Sequence, residues 1–282
     1  MSPVIIVGMH RSGTTMLVEL FEELGGFFGA KYGVNKEAFE FLRFHEEILR
    51  NMGGAWDEVS PLLNDKIYDA AISEQICAHI KSYSRRKAIK EYERLGMSKL
   101  FWGWKDPRNC LFVNFWLQAY PQAKVIFIYR NPLDVAKSLK VRSDKGVLSG
   151  EWIEGVPLKT KLRDSLRENR SYPLQSIRCR DLGSALQLWE DYNILALKNL
   201  DGVDYLSVRY EDLLSNPLNI LSDIESYLFR DRNMIPQFKK IGEKINSSRA
   251  YACSVDEFSE ENLNWLKKSE ILRKFGYEGL VE

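Results

Sequence analysis

Long apolar runs are missing from this chain. None approaches the roughly 18 residues that cross a bilayer, and the first is too short, and too soon followed by a glycine loop, for a signal peptide. The expectation is a cytoplasmic protein, or one trimmed of a targeting segment. Cysteine is sparse: Cys77, Cys110, Cys179 and Cys253 lie far apart with no CxxC pair, which argues against a zinc site and supplies no disulfide framework. An excess of either charge is also lacking, since 40 Lys and Arg face 39 Asp and Glu for a net charge of +1. No general field marks the protein as a nucleic-acid coat or a membrane binder, so any anion site must be local. Internal repeats and low-complexity segments are absent as well.

What the chain does have is enough apolar material, 45% of 282 residues, for a sizeable core. The expected organisation is one domain over 1–282, with an irregular, Gly- and Pro-containing insertion at about 141–180 on the substrate side. PVIIVG (3–8) reads as a strand buried on both faces and TTMLVELFEELGG as a helix stopped by Gly25. Helices follow over 37–52 and about 65–95, then a strand over 99–104 and the helix NCLFVNFWLQAY. AKVIFIYR (123–130) is the clearest strand, and Pro132 opens another helix. A helix through LWEDYN, a strand over 203–210 and the helix PLNILSDIESYLF complete the pattern. Strands alternating with helices predict an α/β fold, P-loop-like and three-layered, whose central, mostly parallel sheet binds ligands beyond its carboxyl ends.

The first strand runs into GMHRSGTT. Gly8 and Gly13 have the GxxxxG spacing of a phosphate loop, and N–H groups of Ser12, Gly13, Thr14 and Thr15 at a helix start suit an anion. A Walker A loop would carry lysine at Thr14. Here the charge sits at Arg11 instead, which suits a single terminal phosphate better than a magnesium-bound triphosphate. The strand VIFIYR ends in Arg130 where a nucleoside triphosphatase places a magnesium-organising aspartate near a strand end. Ser138 comes two helical turns later, so an arginine and a hydroxyl can converge on one phosphate. Two phosphate sites without a metal ligand fit a nucleotide phosphorylated at both ends of its ribose. A nucleotide kinase or NTPase that has lost its lysine, and a non-catalytic nucleotide-binding protein, stay open as alternatives.

These residues resemble the sulfotransferases that use 3′-phosphoadenosine 5′-phosphosulfate (PAPS). HRSGTT is similar to their 5′-phosphosulfate loop and YRNPLDVAKS to their 3′-phosphate motif. WGWKDPR (102–108), LWEDYN (188–193) and VRYEDLLSNP (208–217) are further matches in family order. Arginine in the loop and the lack of a C-terminal glycine and tryptophan motif place the likeness nearer bacterial, carbohydrate and tyrosylprotein enzymes. The resemblance implies PAPS as co-substrate, adenosine 3′,5′-bisphosphate as product, no metal, and a small-molecule, carbohydrate or peptide acceptor. It implies that Arg11, Ser12, Gly13, Thr14 and Thr15 hold the 5′-phosphosulfate and that Arg130 and Ser138 hold the 3′-phosphate. Tyr210 would line the adenosine pocket, and Ser247, Ser248 and Arg249 would close over it.

Sulfuryl transfer needs in-line positioning and positive charge where the leaving oxygen becomes negative. Arg11 and Lys105 are the candidates for that charge, with Asp106 available to orient one of them. His10, in the loop, is placed to touch the sulfuryl group. Glu37 is the first candidate for the base that takes the acceptor proton. It resembles the glutamate that tyrosylprotein and several carbohydrate sulfotransferases use, and it is expected to open a helix; Glu40 and His45 are the reserves.

Overall fold

A computed structural model describes residues 2–29, 35–64, 69–149, 176–229 and 250–282. Most of the insertion expected at about 141–180, and Ser247, Ser248 and Arg249, lie outside them. Five strands, β1 (Val4–Val7), β2 (Gly26–Phe27), β3 (Phe101–Lys105), β4 (Lys124–Tyr129) and β5 (Tyr205–Arg209), form one sheet in the order β2-β3-β1-β4-β5. Every described pairing is parallel. The four residues of β1 are buried throughout, as a central strand covered on both faces requires.

The chain divides into two compact units, Met1–Arg130 with Asp191–Ala252, and Asn131–Glu190 with Cys253–Glu282. The first holds the sheet. Val4 and Ile6 join a core with Leu17 and Phe21 of α1 (Thr14–Glu23) and with Leu213 and Ile224 of α9 (Tyr210–Ser215) and α10 (Pro217–Leu228). By strand alternation the other face of the sheet is served by a different layer. There Trp104 of β3 stacks flat on Phe41 of α2 (Phe39–Asn51), with centroids 4.2 Å apart and planes within 3°. Trp116 of α6 (Asn109–Ala119) meets both rings edge-on. Apolar positions 41, 44 and 48 of α2 recur at helical spacing and are buried, which docks this helix by one stripe.

The helical stretch over about 65–95 holds two helices, with a short one before them. α3 (Ser60–Leu63), α4 (Ala70–Tyr83) and α5 (Lys87–Met97) are separate, with Asp69 capping α4 by accepting from Ile72 N. The two-residue β2 was not foreseen, because so short a strand leaves no periodicity to read.

The second unit is helical where described. It contains α7 (Pro132–Leu148), capped by Asn131 through a 2.9 Å bond from Asp134 N, and α11 (Glu260–Leu266) and α12 (Glu270–Lys274). α8 (Leu182–Asn199) begins here, where its Trp189 meets Phe275 edge-on, and its residues from Asp191 onward count with the first unit. Among the described residues no helix is long and apolar enough to cross a membrane.

Strand order places the site. β1 lies between β3 and β4, so the chain leaves β1 toward one side of the sheet and later returns to the other. In open α/β sheets ligands bind beyond the carboxyl ends of the strands where the connections diverge in this way, which here is the end of β1. Replacing Phe41, fully buried against Trp104, by Ala should cost about 3–5 kcal/mol of stability, read as a lower midpoint in guanidinium unfolding.

Candidate functional site

The loop after β1 is shaped by two glycines. A Cβ on Gly8 would lie 2.5 Å from the carbonyl oxygen of Ile128 in β4. Gly13 has φ of 95°, and a Cβ there would lie 2.3 Å from Cδ2 of Tyr210. Arg11 between them also takes a left-handed φ of 69° and is exposed. α1 starts at Thr14, and its cap residue Gly13 brings no side-chain hydrogen bond. The N–H groups of its first turn therefore lack helical acceptors at the positive end of the helix. Of the four N–H groups expected to face a phosphate, that of Ser12 is turned to Met9 O at 3.2 Å.

Lys105 is the last residue of β3 and stands beside Ile6 of β1. Its side chain is buried, donates to Asn35 O and lies 3.6 Å from the Glu37 carboxylate. The same Asn35 carbonyl accepts from the Thr15 hydroxyl at 3.0 Å. One carbonyl thus ties the first turn of α1 to the end of β3. Burial lowers the Lys105 ammonium below the usual lysine range, and Glu37 opposes that shift. Glu37 is itself buried. It was expected to open a helix, but it precedes Ala38, the cap of α2; Lys105, rather than the helix dipole, is what it faces.

On the other side of β1, Tyr129 of β4 pairs with Arg209 of β5, so Arg130 and Tyr210 leave their strands together. The Arg130 guanidinium sits 4.4 Å from the Tyr210 ring centroid and donates to Arg11 O at 3.3 Å. Tyr210 is buried, and its ring is the one that meets Gly13. Lys105 and Arg130 therefore flank the loop from the two strands next to β1. Ser138 lies in α7 of the second unit, half-buried.

His10 is buried in an aromatic group with Trp56 at 4.8 Å and Tyr192 at 5.7 Å between centroids. Tyr192 donates its hydroxyl proton to Trp56 O at 2.7 Å. Trp56 could not have been connected to His10 from sequence, because only the packing brings its loop to β1.

Behind Lys105 lies a polar network that composition and spacing do not announce. Asp106 Oδ1 accepts from Arg108 N and Nη1, each at 2.9 Å, and Oδ2 meets His45 Nδ1 at 3.0 Å. The Trp116 indole, which can only donate, reaches His45 Nε2 at 2.7 Å. His45 therefore carries its proton on Nδ1, and with both nitrogens engaged and no exposure it is no longer a reserve base. Arg108 Nη2 donates to Glu46 Oε1 at 2.5 Å. Burial opposes ionisation of Asp106, yet the Arg108 charge and the His45 bond hold its carboxyl far below the usual range. Among the described residues no group of three or more His, Cys, Asp and Glu side chains is placed to hold a metal ion.

The model of a family described as the sulfotransferase family matches residues 3–231. No curated protein matches the chain. Among solved structures, the sulfotransferase domain of the olefin synthase of Synechococcus PCC 7002 aligns at 15% identity and a TM-score of 0.50, over 98% of this chain and 94% of that one. The sulfotransferase domain from the curacin biosynthetic pathway aligns at 13% identity and 0.48, over 98% of each chain. Sulfotransferase STF9 from Mycobacterium avium aligns at 13% and 0.44, over 86% of this chain and 67% of its own. The first of these likenesses supports the fold.

Gly13→Ala forces a Cβ into the Tyr210 ring at a left-handed φ. A loss of about 2 kcal/mol or more in unfolding free energy is expected, checked by thermal and denaturant melts against Gly279→Ala, where a Cβ meets nothing within 4 Å.

Proposed function

Because the chain belongs to the sulfotransferase family, we propose that it moves the sulfuryl group of PAPS to a hydroxyl or amine of a small-molecule, carbohydrate or peptide acceptor. The observation that carries this reading is the pair of cations flanking the loop: Lys105 from β3 and Arg130 from β4, on either side of the turn after β1. A nucleotide with phosphates at both ends of its ribose needs two such anchor points. The uncapped start of α1 and the close approach allowed by Gly8 and Gly13 suit one of its anionic ends.

In this reading Arg11, Gly13, Thr14 and Thr15 hold the 5′-phosphosulfate, with Ser12 shaping the loop, and Arg130 holds the 3′-phosphate; Ser138 keeps the 3′-phosphate role that the family resemblance suggests. Tyr210 acts chiefly by bracing Arg130 against the loop, being buried under Gly13. Ser248 and Arg249 keep the nucleotide-closing role that the family resemblance suggests. In transfer, the bond from sulfur to the donor phosphate oxygen breaks as the bond to the acceptor oxygen forms, and the acceptor proton passes to Glu37. Lys105 supplies positive charge near the oxygen that leaves. His10, packed by Trp56 and Tyr192, steadies the loop next to the sulfuryl group. Glu37 and Lys105 share one buried pair, in which the Glu37 carboxylate opposes the loss of the Lys105 charge to burial.

Calorimetric titration with adenosine 3′,5′-bisphosphate in the absence of magnesium should give saturable binding; no heat, or turnover of ATP with magnesium, would overturn the proposal. Arg130→Ala should weaken that binding by about 1.5–3 kcal/mol. Glu37→Gln should keep the affinity and slow single-turnover transfer by about 10²–10⁴-fold.

A further inference from the structure

Two buried carboxyl groups belong to α2 and its approach: Glu37, just before the cap, and Glu46 on the inner face of the helix. The first is paired with Lys105. The second is held by Arg108 alone through Oε1, and its Oε2 is buried with no hydrogen-bond partner among the described residues. We propose that Glu46 is a positioning residue of the candidate site, which holds Arg108 and the turn after Lys105 and sets, by its own protonation, how strongly Glu37 attracts a proton. The coupling to Glu37 rests on the reading of Glu37 as the base.

The reasoning begins with buried charge. Lys105 and Arg108 are the buried cations of this group, and Glu37, Asp106 and Glu46 its buried carboxyls. If all ionise, the group has one negative charge too many in a place where water cannot screen it. One proton restores balance. Asp106 is a poor place for it, because three donors from Arg108 and His45 point at its oxygens. Glu37 faces the Lys105 ammonium. Glu46 Oε2 is the carboxylate oxygen left over, and burial pushes the Glu46 carboxyl up to about 7, against the attraction of Arg108.

The other groups that face Glu46 are Asp106 and Glu37, which favour its protonated form, and Arg50 one helical turn along α2, which opposes it. From α8, Tyr192 faces Arg108, and His45 is occupied by Asp106 and Trp116. The sign of the coupling follows from Coulomb's law. When Glu46 loses its proton as pH rises through about 7, the added negative charge raises the proton affinity of Glu37 and makes it the stronger base. An acceptor proton is then taken more readily above neutrality than below it.

The test uses the whole chain and two independent readouts. In the first, the carboxylic C=O stretch is followed by difference infrared spectroscopy from pH 5.5 to 8.5 on unliganded protein (about neutral ± 1.5, chosen to bracket one titration). A protonated-carboxyl band that disappears around neutrality in the wild type and is absent in Glu46→Gln is expected. No such band, or its persistence in Glu46→Gln, overturns the assignment. In the second, single-turnover rates with PAPS are profiled over the same range. The wild type should rise by up to about tenfold as one group ionises, and Glu46→Gln, which keeps an oxygen for Arg108 but cannot ionise, should be flat. A merely structural role would lower the Gln variant's rate equally at every pH, and that outcome, with the wild-type slope retained, overturns the coupling while leaving the Glu37 reading in place. Full turnover of Glu37→Gln would instead overturn the base reading and the coupling built on it, with the infrared titration still deciding where the proton sits.

Discussion

A lysine ammonium buried at the end of a central strand has to be answered by its surroundings, and most of the site is that answer. Lys105 reaches Asn35 O and the Glu37 carboxylate. In doing so it brings the segment before α2 under the sheet's carboxyl edge. Asn35 O also takes the Thr15 hydroxyl proton, so the first turn of α1 is tied to the same point. A buried cation without these partners would be driven toward its neutral form. The segment 35–38, the start of α1 and the end of β3 are in this sense one unit of structure.

The opposite flank relies on close approach rather than charge pairing. Tyr210 fits against Gly13 because no Cβ stands there, and the Arg130 guanidinium lies over the same ring. Arg130 has a bond to Arg11 O besides. A planar cation on an aromatic face keeps its direction, so the Arg130 guanidinium is braced against the loop from two sides. The loop is thus gripped by a buried pair on one side and a stacked arginine on the other.

The motifs were legible where chemistry and local sequence coincide. GMHRSGTT declared its glycines and the start of α1, and YRNPLD declared the Pro132 start of α7. Lys105 could be placed at a strand end from the apolar run before it. Glu46, Arg108 and Trp56 were not legible as site neighbours. A carboxylate in HEEIL reads as one more solvated helix residue, and only the docking of α2 through Phe41 on Trp104 turns Glu46 inward. His45 was open as a base until packing put Asp106 and Trp116 at its two nitrogens.

Periodicity and turn residues, which act over a few neighbouring positions, were enough to settle that this is an α/β chain with a glycine-bracketed loop after its first strand. They were enough too for the sulfotransferase motifs to appear in order, since each is a short continuous stretch. Strand order, and with it the placement of Lys105 and Arg130 on either side of one loop, was decided by the tertiary structure. So were the surroundings that push the Asp106 and Glu46 carboxyls in opposite directions. Both depend on which distant residues share a low-dielectric interior, and the energy of a buried charge is set by those neighbours rather than by the residues beside it in the chain.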